Sequence, residues 1–164
     1  MAIVAIFQSA PGVRPGLIDF ADELRTVGRE MHVVDQYDER VFDDYEEAAA
    51  YGDEVGFPNL MAEAIRGVAD LPNGFATIGF SNGAGMAEFV AANRRVSGAM
   101  GSGALPLETI GITWPQGVPA QIHSTVGDPR DQHPIRSVRE SVEEAGGAVE
   151  VFEDPRSGHL REEE

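Results

Sequence analysis

The sequence has 164 residues, 28 of them Asp or Glu against 12 Lys or Arg, for a formal net charge of −16 at pH 7. That length accommodates one domain with a real core, and the acidic balance leaves no basic patch to displace counterions from phosphates, which excludes nucleic acid as a partner. The absence of cysteine excludes disulfides, a thiol nucleophile and a Cys-ligated zinc site.

The predicted elements alternate along the chain. Ile3–Phe7 is a short β-prone run, closed by Gln8 and a Pro/Gly loop over 11–16. Leu17, Phe20, Ala21, Leu24 and Val27 recur at helical spacing, and Gly28 ends that helix. Met31–Val34 reads as a second strand. A long acidic helical region covers 44–69, with a break at Gly56–Pro58, and its charge run 43–47 reads as a solvated face. Ala76–Phe80 is the third strand and Asn82–Arg95 the helix leaving it. Val96–Gly103 is a Gly-rich fourth strand. Gly117–Ser124 is the fifth, Pro134–Ala145 a helix and Ala148–Phe152 a sixth strand.

This alternation predicts an α/β domain: an open, doubly wound, mostly parallel sheet of about six strands with helices on both faces. One domain is expected over 1–160, with 161–164 a frayed tail. The connection 104–117 is too short for a lid domain, so the site should stand open to water. No apolar run reaches membrane-spanning length, since Ala2–Phe7 is interrupted at once, and the N-terminus lacks the basic segment of a signal peptide. The expectation is a soluble, cytoplasmic protein. All twelve basic residues are Arg. A GC-rich genome explains this most simply; an acidic surface adapted to high salt is the sharper alternative.

The third strand runs into Gly79-Phe-Ser81-Asn-Gly83, a G-x-S-x-G pentapeptide followed directly by an amphipathic stretch. In that setting a serine sits on a sharp strand-to-helix turn with its hydroxyl exposed, and the flanking glycines avoid collisions with strand and helix. With 19 glycines in the chain, a chance match has odds of about one in ten. The bland alternative is a turn serine that caps the helix. Ser81 is the only serine in an elbow context.

A serine nucleophile needs a base, an acid to orient it and oxyanion donors. His159 follows the sixth strand in Asp154-Pro-Arg-Ser-Gly-His, at a strand's carboxyl end where sites of open α/β sheets collect. The acid should come from the loop after the fifth strand, where Asp128 leads and Asp131 is a second candidate. Chain order is then Ser…Asp…His. Of the other histidines, His123 reads as packed at a strand end, His32 as structural within its strand, and His133 as a residue at the start of a helix. The oxyanion donors are the backbone N–H of Asn82 and, from the loop after the first strand, that of Ala10, because Pro11 has none.

With these residues in place the chain resembles the dienelactone hydrolase family of the α/β-hydrolase superfamily. The similarity runs over nearly the whole length and is most specific at 79–83, 118–129 and 157–159. It extends to Gly-Val-Arg-Pro-Gly at 12–16 and the helix after it, to Val33–Tyr37 and to Ala49–Phe57. In the family's pattern for the fifth-strand loop, Asp128 takes the acid position, which favours it over Asp131. Two departures stand out. Family enzymes that open dienelactone carry a cysteine where this chain has Ser81, and a glutamate where it has Ser9; their substrate-carboxylate arginines have no clear counterpart here. The resemblance therefore implies hydrolysis of an ester, lactone or thioester through an acyl-enzyme, with a small-molecule substrate other than dienelactone.

It implies no metal and no organic cofactor, and leaves oligomeric state open, a homodimer included. It also implies a minimal α/β-hydrolase fold without the family's leading antiparallel strands and one helix. The strand order is then 2-1-3-4-5-6, with a topological switch point between the first and third strands. A catalytically silent α/β-hydrolase-fold binding or scaffold protein is the rival, and an acyl-transferase using the same serine a third reading.

Overall fold

The computed structural model describes residues 2–125 and 129–154. Its six strands are β1 (Ile3–Phe7), β2 (Glu30–Val34), β3 (Phe75–Phe80), β4 (Val96–Ser102), β5 (Ala120–Thr125) and β6 (Val149–Asp154). They form one sheet of order β2-β1-β3-β4-β5-β6, and every pairing is parallel. The helices are α1 (Pro15–Thr26), α2 (Tyr45–Val55), α3 (Phe57–Gly67), α4 (Asn82–Asn93), the short α5 (Leu107–Ile110) and α6 (Pro129–Glu144).

A central parallel strand is buried on both faces and so reads as a continuous apolar run. β1 behaves this way, with Val4 to Phe7 all buried. Its alternate residues feed two cores: Val4 and Ile6 pack with Leu17 and Ala21 of α1. Ala5 and Phe7 pack on the other face with Leu60 and Ala64 of α3 and Met86, Ala87 and Val90 of α4. That second face continues across β4 and β5, where Ala99, Ala120 and Ile122 meet Ala91 of α4, Val138 and Val142 of α6, and Trp114. The sheet is therefore wound on both sides, as the alternation predicted. The α1 side of β6 carries Glu150 and Phe152, both exposed.

Element ends follow local chemistry. The acidic helical region splits where Gly56 takes φ 85° between α2 and α3. Asp44 caps α2 by accepting the Glu47 N–H at 3.0 Å. Arg94 ties the end of α3 to α4, donating to the carbonyls of Val68 and Leu71 at 2.6 Å each. β5 begins at Ala120 rather than Gly117, because Val118 spends its carbonyl on the Trp114 indole N–H, 2.9 Å away. α6 begins at Pro129, with Pro134 inside it. The sequence predicts this helix from Pro134; Pro129 suits the first helical position equally well, and the structure starts there. His133 accordingly lies within α6, exposed, rather than at its start. Among the described residues, no helix is long and apolar enough to cross a membrane.

Candidate active site

Ser81 stands between β3 and α4 with φ 57° and ψ −119°, one of three non-glycine residues at positive φ among the described residues. Such a conformation costs about 1–3 kcal/mol and persists only where the surroundings over-determine it. Here they do. The Ser81 N–H donates to the Ser102 carbonyl at the end of β4 (3.0 Å), and the Ser81 carbonyl accepts from Ala84 N–H (2.9 Å). A Cβ on Gly79 would collide with the Gly83 backbone, and one on Gly83 would sit 2.7 Å from the Phe7 carbonyl oxygen, against the end of β1. Both glycines are thus steric requirements of the turn. The Ser81 side chain makes no capping hydrogen bond to α4, so the capping alternative does not account for it.

The turn opens onto the switch point. β1 pairs with β2 on one side and β3 on the other, so the loops leaving β1 and β3 flank one crevice. Gln8, Ser9, Asn82 and Gly83 line a common cavity of about 10 Å³, which puts the loop after β1 directly against the start of α4. Asn82 is the first residue of α4, where backbone N–H groups and the helix dipole favour a developing negative charge. Its Oδ1 is buried without a hydrogen-bond partner in the protein. Ala10 is buried in the facing loop.

That facing loop is held by polar contacts that sequence reading missed. Gln8 accepts the Gln36 N–H at 2.9 Å, and Gln36 Nε2 donates to the Leu60 carbonyl at 2.7 Å, all of it buried. Phe42 N–H donates to the Pro11 carbonyl at 2.9 Å. Arg14 donates to the Phe42 carbonyl and pairs with Asp43. Gly12 (φ 95°) lets the loop pass against the Arg40 carbonyl. No motif announces Gln8 or Gln36; a polar residue just past the carboxyl end of the buried β1 and of the edge strand β2 is the signal they leave.

Asp128 and His159 lie outside the described residues. The strands that lead to them are adjacent and in register, Thr125 beside Asp154, at the same sheet edge as the Phe80–Ser102 pair. Asp131 falls within α6. His123 is half-buried with its ring stacked on Phe152 at 4.9 Å, and desolvation lowers its pKa below the usual imidazole value. His32 Nε2 hydrogen-bonds the Gly67 carbonyl at 2.7 Å. Both are packing residues, as expected.

Glu88, also unforeseen, is buried in α4. Burial is the main cause that raises its pKa to about 8, while the Leu105 N–H donated to Oε1 pulls weakly the other way. A lone carboxylate in the otherwise uncharged run Asn82–Asn93 was its sequence signal.

No protein-family model matches the chain, and no curated protein matches its sequence. Solved structures do match in fold. A dienelactone hydrolase-like promiscuous phosphotriesterase from metagenomic libraries has a TM-score of 0.75 at 19% identity, covering 97% of this chain and 72% of that one. The dienelactone hydrolase of Anabaena variabilis gives 0.69 at 17% identity over 97% and 76%. A Bacillus cereus carboxylesterase gives 0.61 at 18% over 98% and 81%. The fold is a dienelactone hydrolase-like α/β-hydrolase fold, with an open sheet and, among the described residues, no lid.

Proposed function

We propose that this α/β-hydrolase-fold chain is a serine hydrolase that cleaves a small carboxylic ester, lactone or thioester. Ser81 Oγ attacks the acyl carbon while His159 takes its proton, and Asp128 orients the imidazole. The N–H groups of Asn82 and Ala10 hold the oxyanion, each contributing on the order of 3 kcal/mol. His159 then protonates the leaving group, and water, activated by the same imidazole, releases the acid from the acyl-enzyme. No cofactor enters these steps.

The observation that carries the reading is the Ser81 backbone: positive φ between two sterically required glycines, facing the β1 loop at the switch point. The hydrolase names of the structural neighbours agree with it.

The test is a fluorophosphonate probe run beside a panel of p-nitrophenyl esters, thioesters and lactones. A phosphotriester belongs in the panel, because one neighbour is described as a promiscuous phosphotriesterase. Labelling at Ser81, and loss of turnover in Ser81→Ala, are expected. Absence of labelling in well-folded protein would favour a binding protein on the same fold, and an undiminished rate in Ser81→Ala would remove Ser81 from the chemistry.

A further inference from the structure

Glu88 lies seven residues beyond Ser81, about two turns along the same face of α4. Its Oε1 accepts the Leu105 N–H at 3.1 Å, and its Oε2 is buried without a hydrogen-bond partner in the protein. Beside it is a cavity of about 10 Å³, the space of a single water. The residues facing Glu88 there are Ala99 and Gly101 of β4, Ile122 of β5, Val138 of α6, Gly103 and Trp114. None of these is charged or titratable, and among the described residues Glu88 is the one ionisable residue lining the cavity.

Leu105 is fastened to α4 twice. Its N–H meets Glu88, and its side chain rests on Gly85, where a Cβ would come 3.1 Å from Leu105 Cγ. The segment it belongs to starts at Ser102, whose carbonyl holds the Ser81 N–H, and continues through Gly103, whose N–H donates to the His123 carbonyl at 2.7 Å. Only Gly103 and Ala104 therefore separate the residue held by Glu88 from the residue that fixes Ser81.

We propose that uncharged Glu88 is a positioning residue for the Ser81 site: it holds the Gly103–Leu105 segment against α4, and loss of its proton opens that segment to water and loosens the Ser102 carbonyl from Ser81. What the site does rests on the hydrolase reading above; the latch rests on the geometry. One N–H does not replace the solvation a carboxylate loses on burial. Ionisation must therefore draw water to Oε2. Four walls of the cavity belong to β4, β5, α4 and α6, whereas Gly103–Leu105 lies in neither helix nor strand. Trp114, also outside helix and strand, is tied by its indole N–H to the Val118 carbonyl, which leaves Gly103–Leu105 as the wall that can yield.

Trp114, the only tryptophan of the chain, lines the same cavity and reports on it without any catalysis. Its emission is followed from pH 6 to 9.5 in wild type and Glu88→Gln, and the fluorophosphonate labelling rate of Ser81 is measured at pH 7 and pH 9 in each. Wild-type emission should titrate with a midpoint near the Glu88 value of about 8, and Glu88→Gln should be flat across that range. With about a tenth of Glu88 still protonated at pH 9, the pH 9 to pH 7 labelling ratio should be roughly tenfold lower in wild type than in Glu88→Gln.

Emission that titrates while the two proteins share one labelling ratio overturns the positioning role. Emission that does not titrate, or titrates alike in both, overturns the latch. No labelling at any pH together with a Glu88-dependent titration overturns the hydrolase reading and leaves the latch standing. Should Glu88→Gln fail to fold, amide exchange in wild type decides: protection of the Leu105 N–H, corrected for intrinsic rate, falls above pH 8 or the proposal fails.

Discussion

Replacing Glu88 by Gln will shift stability in the variant's favour, relative to wild type, as pH rises. In the native state burial holds the Glu88 pKa at about 8, against an ordinary value of 4.5. Between those values the folded chain keeps a proton that the unfolded chain has released, so wild-type stability falls as pH rises, by about 1.4 kcal/mol per unit. The contribution is fully present below the ordinary carboxyl value, lost progressively up to about pH 8, and constant above it. Gln keeps the size of the side chain and an acceptor for the Leu105 N–H but carries no such titration. From pH 5.5 to pH 7 the gap between variant and wild type should widen by about 2 kcal/mol. For a chain of this size that is about 4–8 °C in Tm. Urea unfolding followed by circular dichroism, at several pH values in this interval, measures it. Only the slope matters, because any fixed difference between Gln and a protonated Glu cancels. Two stability curves that stay parallel between pH 5.5 and pH 7 would refute the assignment of a buried, uncharged Glu88.

Three further outcomes follow from the site. Gly83→Ala should abolish Ser81 labelling and cost about 3 kcal/mol or more, because its Cβ would meet the backbone carbonyls of Phe7, which ends β1, and of Gln8 just after it; Gly98→Ala, with nothing closer than 3.4 Å, should fold and label. Gln8→Ala leaves the Gln36 N–H without its partner in a buried position and should lower stability by about 1–3 kcal/mol, read by thermal unfolding. Raising NaCl from 0.05 to 1 M should screen the −16 charge and raise Tm by about 2–4 °C for each kcal/mol of relieved repulsion; an unchanged or lower Tm would count against self-repulsion as a burden on this fold.

The sheet was legible because buried parallel strands leave a local trace. Ile3–Phe7 is an apolar run ended by polar and turn residues, and the structure forms β1 over those same residues. The elbow was legible for a related reason: its geometry admits only glycine at 79 and 83, so the demand is written in the residues themselves. What escaped is set by partners distant in sequence. α5 has four residues and exists because Leu107 and Ile110 are buried beneath it, with Gly111 turning out at φ 68°. Helical spacing cannot announce one turn. The glycines of β4 lower its strand signal, yet Gly101 has a packing reason: a Cβ there would lie 2.7 Å from the Gly103 carbonyl oxygen and 3.1 Å from Ala84 of α4. Gln8, Gln36 and Glu88 are polar residues whose burial depends on walls from other elements, so the local signals they leave do not tell what they touch.

These unforeseen residues share a role. A serine at positive φ relaxes unless its neighbours forbid it, and the neighbours here are the three central strands rather than flexible loops. β1 presses on Gly83 and β4 holds the Ser81 N–H. Gln8 and Gln36 tie the facing loop to β2 and α3, and Glu88 ties the segment after β4 to α4. Each tie joins an element that carries a proposed site residue to an element that does not. The strain at Ser81 is thereby carried by the core, and a substitution at Gln8 or Glu88 should be felt at Ser81 although neither side chain belongs to the proposed triad.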